Sequence, residues 1–303
     1  MQLTDENYYS REAGALFWSV SKYKRYDKCP AAAKAVDDGR WSEGSKAPLV
    51  GGNYAHTAVL EPEKLPQYEA DHPEMLTVKE TIAELKKIAA KEGIELAKNL
   101  KKPELIELLE ENGIEVPRSF RSEYSWIPRA LDALRRAPAA LNMLDHPSMV
   151  PEKFLTFELG GYVWKCKIDA MLPPAKAFID LKFMKDFSET WMEDPDGTRR
   201  PYKWFQAWGY DIQMSVYREA IRQETGGELW TPYILGVSKE KFPDMIFGCF
   251  LDAERMDAIV AEVRATVPLF DAYARGDQEA PRCGKCDYCR ATKIIKVATP
   301  IDM

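Results

Sequence analysis

Residues 167–183, KIDAMLPPAKAFIDLKF, hold two strand candidates joined by a Pro-Pro turn, and this stretch decides the fold. Asp169 stands in the first strand, and Asp180 stands in the second, two positions before Lys182. Because side chains alternate along a strand, Asp180 and Lys182 project on the same face. If the two strands pair through the turn, Asp169 approaches Asp180. The sequence therefore predicts two carboxylates and a lysine on one face of a sheet.

This set of side chains has a chemistry of its own. Clustered carboxylates are natural ligands for Mg²⁺ or Mn²⁺, and the carbonyl of Leu181 would be available as a further ligand. Lys182 can orient or deprotonate an attacking water, or stabilise the charge of a pentavalent phosphate. The alternative is that the acidic residues end strands and Lys182 is a surface charge. The apolar neighbours favour a buried strand, where ionisable groups need partners or a metal.

The flanking sequence predicts the rest of a sheet and its helices. Gly160-Gly161 is a tight hairpin signal between two strand candidates, and further strands and helices follow. The strand candidates span 153–159, 162–172, 176–183, 229–239 and 244–252, and the helix candidates span 15–40, 124–145, 201–225 and 252–275. This order predicts an α/β (α+β) fold with a mixed central sheet flanked by helices.

Composition narrows the class of protein. With 303 residues and 46% hydrophobic content, the chain can form one large domain, or a core domain with an insertion. The net charge of −6 excludes a uniformly basic coat but not local contact with phosphate. The chain has no apolar run of the roughly 18 residues that a membrane span requires, and its N-terminus lacks a secretory pattern. We therefore expect a cytoplasmic protein that does not enter a membrane.

Residues 77–116 differ in composition from the rest, being rich in Lys, Glu, Leu and Ile. Helical apolar spacing in 80–93 and 102–113 predicts a helical hairpin inserted into a main domain made of residues 1–76 and 117–303. The segment resembles SAP and HeH modules, which often bind nucleic acid. The lysines that could meet phosphate are Lys86, Lys87, Lys98, Lys101 and Lys102. Because the second half is acidic, a solvated hairpin or a protein-docking element is the alternative.

Three cysteines stand close together near the C-terminus, in CGKCDYC: Cys283, Cys286 and Cys289. Tetrahedral zinc and [4Fe–4S] clusters usually need four ligands. Cys29, which precedes Pro30, is the candidate for the fourth. The alternative is that Cys29 is a small buried apolar residue and that the C-terminal group binds nothing.

Several motifs in order resemble one branch of a known nuclease superfamily. His56, Asp169, the Asp180-Leu181-Lys182 strand and a helix with Gln213-x3-Tyr217 resemble the RecB/RecE branch of the PD-(D/E)xK nucleases, especially phage-type exonuclease VIII domains. The resemblance implies a restriction-endonuclease-like core. It also implies that His56, Asp169 and Asp180 bind the metal, that Lys182 acts on the water, and that the Gln213/Tyr217 helix borders the site and contacts DNA. Gln206-x3-Tyr210 repeats the pattern one heptad earlier, so the register of this helix is open.

The cysteines resemble the iron–sulfur staple of AddB and CRISPR-adaptation nucleases, in which one N-terminal and three C-terminal cysteines hold a cluster. That resemblance implies a [4Fe–4S] cluster on Cys29, Cys283, Cys286 and Cys289, with Zn²⁺ as the alternative.

Together these resemblances imply a metal-dependent DNA exonuclease, 5′ to 3′ on duplex ends, in phage-type recombination or DNA processing. The alternatives are a PD-(D/E)xK nuclease of the single-strand or CRISPR-adaptation type, and a non-catalytic DNA-binding module with a metal staple. The expected partners are double-stranded DNA ends, or else single-stranded DNA, and a single-strand annealing protein. A homo-oligomer is an open alternative to a monomer.

Overall fold

The structure is a computed structural model, and it describes residues 1–42, 44, 47–193 and 197–295. The chain divides into two compact units, Met1–Ser45 with Ala133–Met303 and Lys46–Asp132. The second unit contains the segment expected to be inserted and begins before it. The predicted division into 1–76 with 117–303, and an insertion at 77–116, stays a prediction.

The described strands form one large sheet and two small ones. They are β1 (Leu76–Thr77), β2 (Ser119–Phe120), β3 (Val150–Leu159), β4 (Tyr162–Leu172), β5 (Ala177–Met184), β6 (Thr190–Glu193), β7 (Arg199–Tyr202), β8 (Thr231–Ser238) and β9 (Met245–Cys249). The large sheet has the order β3-β4-β5-β8-β9, in which only β5 and β8 pair in parallel. The predicted mixed sheet is confirmed. The short β6–β7 pair was not predicted.

The described helices are α1 (Arg11–Leu16), α2 (Val20–Lys28), α3 (Pro30–Asp37), α4 (Ala47–Leu60), α5 (Leu65–Asp71), α6 (Ile82–Lys91), α7 (Lys102–Glu111), α8 (Ile127–Leu134), α9 (Pro138–Leu144), α10 (Trp204–Ala207), α11 (Tyr210–Glu224), α12 (Ala253–Arg275) and α13 (Asp287–Ala291). None of those in the described ranges combines the length and apolar character needed to cross a bilayer.

The hairpin between β3 and β4 is the predicted Gly160-Gly161 turn. Both glycines have positive φ, 65° and 83°, as a tight two-residue turn requires. A Cβ on Gly160 would lie 2.5 Å from a methyl of Val267 and 2.8 Å from the carbonyl oxygen of Arg264. Glycine therefore serves both the turn and the close packing of α12.

Of the long continuous helices that the sequence predicts, three are interrupted, and each of these three predictions is wrong. The segment 15–40 is interrupted at Cys29, which is extended because the residue before a proline is disfavoured in the helical region. The segment 124–145 is interrupted before Pro138 for the same reason. The segment 201–225 begins in β7, which ends at Tyr202, and its helical part is interrupted at Gly209, whose φ is 62°. These interruptions matter because Cys29 stands at the first and α11 begins after the third.

The main core lies between the sheet and helices α2, α11 and α12. Apolar side chains of β3 and β4, including the fully buried Trp164, pack against Met214, Val216 and Ile221 of α11. The chain between β5 and β8 includes α10 and α11, and this provides the crossover that a parallel pair needs. Packing of α11 on the sheet places one helix beside the strands that carry Asp169 and Asp180.

The second unit contains its own small core. Leu85 and Ala89 of α6 pack with Leu105 and Leu109 of α7, and Val116 closes the group. Helix α6 begins with a capping box, in which Thr81 and Glu84 exchange hydrogen bonds with each other's backbone amides. The two predicted helices of the hairpin are therefore present.

Candidate active site and thiolate cluster

Asp169 and Asp180 occupy neighbouring strands at the point where their pairing ends. The β4–β5 register runs from Leu172↔Ala177 to Ala170↔Ile179, and one further step sets Asp169 opposite Asp180. At that step Oδ2 of Asp169 accepts a hydrogen bond of 2.8 Å from the backbone amide of Leu181. The Asp169 carboxylate therefore accepts the hydrogen bond in place of a strand-to-strand contact. This bond holds the carboxylate where the β4–β5 pairing ends.

Asp180 is held on both of its oxygens. Nε2 of Gln213 on α11 donates to Oδ1 at 2.7 Å, and Nζ of Lys182 lies 2.6 Å from Oδ2. Asp180 is 1% exposed, so its charge needs such partners. The expected shared face of Asp180 and Lys182 is present, and Gln213 reaches the same group.

The electrostatics of the site follow from burial and opposite charge. Burial raises the pKa of Asp169, although the cation of Lys182 and the Leu181 amide oppose that effect. Burial would lower the pKa of Lys182, but the negative charges of Asp180 and Asp169 outweigh it and raise the pKa. Lys182 is therefore held as a cation between two acidic side chains.

Two residues beside this group were not singled out from the sequence. Nζ of Lys182 lies 5.3 Å from the ring centroid of Tyr210, and Nζ of Lys24 lies 5.3 Å from the same ring. Lys24 also donates to the carbonyl oxygen of Trp208 at 2.9 Å. Burial and the charge of Lys182 lower the pKa of Lys24 to about 8. Tyr210 belongs to the earlier Gln-x3-Tyr repeat, and nothing in the sequence pattern marks Lys24.

The residues of the two Gln-x3-Tyr repeats lie in different environments. Gln213 bonds Asp180, whereas Oε1 of Gln206 accepts from the backbone amide of Lys203 at the start of α10. Tyr210 faces Lys182, whereas Tyr217 packs against the main core, and burial raises its pKa well above the ordinary value. Gln213 thus contacts Asp180 and Tyr210 contacts Lys182, while the buried Tyr217 is close enough to be affected by the charges of Asp180 and Asp169.

The remaining candidate ligands are placed as follows. His56 lies on α4 in the second unit and is half-buried. The side chain of Leu181 is buried in the core, and its amide is the donor to Asp169. The roles assigned to His56 and to the Leu181 carbonyl stay predictions.

The donor set fits a divalent cation. Buried carboxylates on adjacent strands are hard oxygen ligands of the kind that Mg²⁺ and Mn²⁺ prefer. Asp169 and Asp180 would hold such an ion, and it would supply the positive charge that their burial calls for.

The four predicted cysteine ligands lie together. The sulfur atoms of Cys29, Cys283, Cys286 and Cys289 lie within 4.8 Å of one another. Sγ of Cys29 is 3.7 Å from Sγ of Cys289, which is 3.9 Å from Sγ of Cys283. The interruption at Cys29 brings the N-terminal ligand to the C-terminal group.

Backbone amides point at two of these sulfurs. The amide of Cys286 donates to Sγ of Cys283, and the amide of Cys289 donates to Sγ of Cys286, each at 3.4 Å. Burial opposes ionisation of Cys283, but amide hydrogen bonds outweigh it and lower its pKa to about 6. Burial raises the pKa of Cys29. Burial also raises the pKa of Cys286, to about 12. The fit to a metal that binds thiolates therefore depends on the closeness of the four sulfurs and on the type of ligand.

The predicted DNA-binding lysines lie in the second unit and differ in exposure. Lys86, Lys87, Lys98 and Lys101 are exposed. Lys102 is half-buried, and its Nζ donates to the carbonyl oxygen of Val78 at 2.6 Å. The ammonium group of Lys102 is therefore already engaged in a hydrogen bond within the second unit.

Comparison with known proteins gives a family and a solved relative. Residues 19–292 match a family model described as a PDDEXK-like domain of unknown function (DUF3799). The chain is also similar to a crystal structure from Eubacterium rectale described as a "Putative exonuclease", with a TM-score of 0.73 and 26% identity over 100% of this chain and 97% of that one. No curated protein sequence matched. The family match covers most of the chain and includes both strand carboxylates and all four cysteines, and the chain therefore belongs to the PDDEXK-like family DUF3799.

Proposed function

We propose that this protein is a metal-dependent DNA exonuclease of the RecE-like branch, acting 5′ to 3′ on duplex ends in phage-type recombination or DNA processing. The observation that carries the proposal is the contact of Lys182 with Asp180, beside Asp169 on the neighbouring strand. A binding module would have no need to keep this buried charged group intact. The description of the Eubacterium rectale relative as an exonuclease supports the same reaction.

The chemistry assigned to the site is hydrolysis of a phosphodiester bond. His56, Asp169, Asp180 and the Leu181 carbonyl hold Mg²⁺ or Mn²⁺, which when bound polarises the phosphate and activates water. Lys182, held as a cation by the two aspartates, orients the attacking water, and its charge stabilises the negative charge that develops on the phosphate.

The other site residues position these groups. Gln213 fixes the rotamer of Asp180 through its hydrogen bond. Tyr217 supports α11 from the core, where the helix borders the strands that carry the carboxylates. We assign contact with DNA to the exposed side of this helix's N-terminal end.

The thiolate cluster is assigned a structural metal. Four sulfurs around one tetrahedral Zn²⁺ at 2.3 Å stand about 3.8 Å apart, which agrees with the observed separations of 3.7 and 3.9 Å. A [4Fe–4S] cluster places four irons and four sulfides between its thiolates and needs wider spacing. Geometry thus favours Zn²⁺, while the resemblance to AddB-type staples favours [4Fe–4S]. An absorption band near 400 nm from anaerobically purified protein, together with iron analysis, decides between them.

The inserted hairpin and the partners complete the proposal. The exposed lysines of residues 77–116 meet the phosphates of duplex DNA without reading its sequence. A single-strand annealing protein would receive the strand that a 5′ to 3′ exonuclease leaves. Cytoplasmic location and a homo-oligomeric state that holds DNA belong to the same proposal.

The test is digestion of DNA of defined ends. Linear duplex labelled at either the 5′ or the 3′ end, single-stranded DNA and covalently closed circular duplex are each incubated with the protein and Mg²⁺. We expect early release of the 5′ label, slow loss of the single strand and no cutting of the circle. Early release of the 3′ label reverses the polarity, preference for single strands favours the alternative nuclease type, and no Mg²⁺-dependent cutting of any substrate overturns the enzyme.

A further inference from the structure

Glu152 lies at the same level of the sheet as the two aspartates. The β3–β4 register pairs Pro151 with Ala170 and Lys153 with Ile168, which sets Glu152 opposite Asp169. The β4–β5 register in turn sets Asp169 next to Asp180. Three acidic residues therefore form one row across three adjacent strands, and residues in one row project on the same face. The sequence offered no signal for Glu152, because it precedes the apolar part of its strand.

The backbone of Glu152 departs from the strand at this position. Its φ is 51°, a left-handed conformation that non-glycine residues seldom adopt, although it stands inside β3. The β3–β4 register skips Glu152, although the residues on both sides of it are paired. A carboxylate oxygen of Glu152 and one of Asp169 lie within 4.8 Å of each other.

The Glu152 carboxylate has one oxygen engaged and one open to a ligand. Its side chain is 10% exposed, and Oε2 forms an ion pair with Nζ of Lys167. Among the residues that the structure describes, no hydrogen-bond partner reaches the buried Oε1. An orphaned carboxylate oxygen in a buried position is costly unless a cation or a donor satisfies it.

We propose that Glu152 is a third acidic ligand of the divalent cation bound by Asp169. The proposal rests on the proposed metal-dependent nuclease, and it adds a ligand that neither the sequence motif nor the family description names. Oε1 binds the cation, while Oε2 is paired with Lys167, which competes with the cation for the carboxylate. A site with an added carboxylate carries more negative charge, which favours Mn²⁺ and Mg²⁺ over monovalent ions.

The test measures binding of Mn²⁺ itself by titration calorimetry, with the thiolate site already loaded. Glu152→Gln keeps the side chain's length and loses the charge, and we expect its Mn²⁺ affinity to fall at least about tenfold. Glu158→Gln, on the exposed face of the same strand, is the matched control and should bind as the wild type does. Equal affinity of Glu152→Gln and wild type would overturn the proposal.

A second variant separates the carboxylate from its ion pair. Lys167→Met removes the cation that competes for Glu152, so we expect Mn²⁺ affinity to stay equal or rise. A fall in Lys167→Met as large as that in Glu152→Gln would mean that the pair, and not the carboxylate, matters, and it would overturn the proposal. If Glu152→Gln fails to fold, Glu152→Ala is measured against the same Glu158→Gln control, and an Mn²⁺ affinity equal to that of the wild type again overturns the proposal.

Failure of the proposal and failure of the proposed function give different results. If the wild type degrades DNA with Mg²⁺ while Glu152→Gln binds Mn²⁺ normally, only the third ligand is wrong. If the wild type binds Mn²⁺ through Glu152 but cuts no DNA, the assignment of Glu152 as a ligand holds and the proposed nuclease function is wrong.

Discussion

The acidic face of the sheet and the thiolate cluster both gather distant residues, but they do so by different means. Asp169, Asp180 and Lys182 lie on adjacent strands, within fourteen residues of sequence, and the sheet register aligns them. The cysteines join residue 29 to residues 283–289 and lie at helix ends and loops. One site is built by secondary structure, whereas the other ties together both ends of the first unit.

This difference predicts different effects on activity and stability when residues of each site are substituted. The acidic site contains charges that the surrounding core does not need for packing, so its loss should remove chemistry and leave the fold. The thiolate cluster has little hydrophobic support of its own beyond Ala31, Ala32 and Tyr288, so its metal should contribute to stability. Activity and unfolding temperature are therefore expected to separate between the two sites.

A large effect on the rate of cleavage is expected from Lys182→Met. If this cation acts on water and phosphate as proposed, its loss should lower the rate of DNA cleavage by about 10²–10³-fold or more. The rate of product release with Mg²⁺ at saturating duplex measures it. Lys185→Met is the matched control, since Lys185 lies three residues on with a side chain that is 92% exposed, and it should cut at the wild-type rate. Equal rates for both variants would remove Lys182 from the chemistry.

The largest expected effect on stability is that of Cys29→Ser. A metal held by the four cysteines would close a loop of more than 250 residues, so losing it through this change should lower Tm on the order of 10 °C. Calorimetry and metal analysis of the purified protein measure the change. Cys249→Ser, which alters an exposed cysteine outside the cluster, should keep both Tm and metal content. An unchanged Tm in Cys29→Ser would contradict the structural role.

A smaller effect on rate is expected from Gln213→Leu. The change removes the 2.7 Å hydrogen bond that positions Asp180, and we expect a rate loss of about tenfold with little change in Tm. Gln206→Leu alters the equivalent residue of the earlier repeat, which only caps α10, and serves as the control. A larger loss in Gln206→Leu would show that the wrong repeat was assigned to the site.

The smallest effect is expected from the hairpin lysines. Lys86→Glu combined with Lys87→Glu should weaken binding to duplex DNA and reduce the salt dependence of binding by about two phosphate contacts. Fluorescence anisotropy over a salt series measures both quantities. Lys241→Glu, an exposed lysine of the first unit, is the control for net charge. Identical salt slopes for the wild type and the double variant would favour a protein-docking role for the hairpin.

Features that depend on residues close together in the chain could be predicted from the sequence. The strand candidates correspond to β3, β4 and β5, and the alternation of side chains along a strand predicted the shared face of Asp180 and Lys182. The Gly160-Gly161 turn followed from the chirality of hairpins. These features depend only on neighbouring residues and on the geometry of a strand.

Features that depend on how strands align and how helices pack on the sheet could not be predicted from the sequence. Glu152 joins the acidic row only because β3 pairs with β4 at one particular alignment, and its left-handed backbone leaves no mark in the residue type. Tyr210 and Lys24 meet Lys182 only after α11 and α2 pack on the sheet. Pro30 marks the interruption at Cys29, because the residue before a proline is disfavoured in the helical region, although the residues on both sides of it are helical.

The most direct test of the central claim is the Asp180→Asn variant in an assay that records cleavage, Tm and metal content of the thiolate site together. Wild type and variant are given end-labelled linear duplex with Mg²⁺. We predict that cleavage falls by about 10³-fold or more while Tm and thiolate-bound metal stay at wild-type values. Degradation by Asp180→Asn at the wild-type rate, with the protein folded, would contradict the assignment of this carboxylate–lysine face as the catalytic centre.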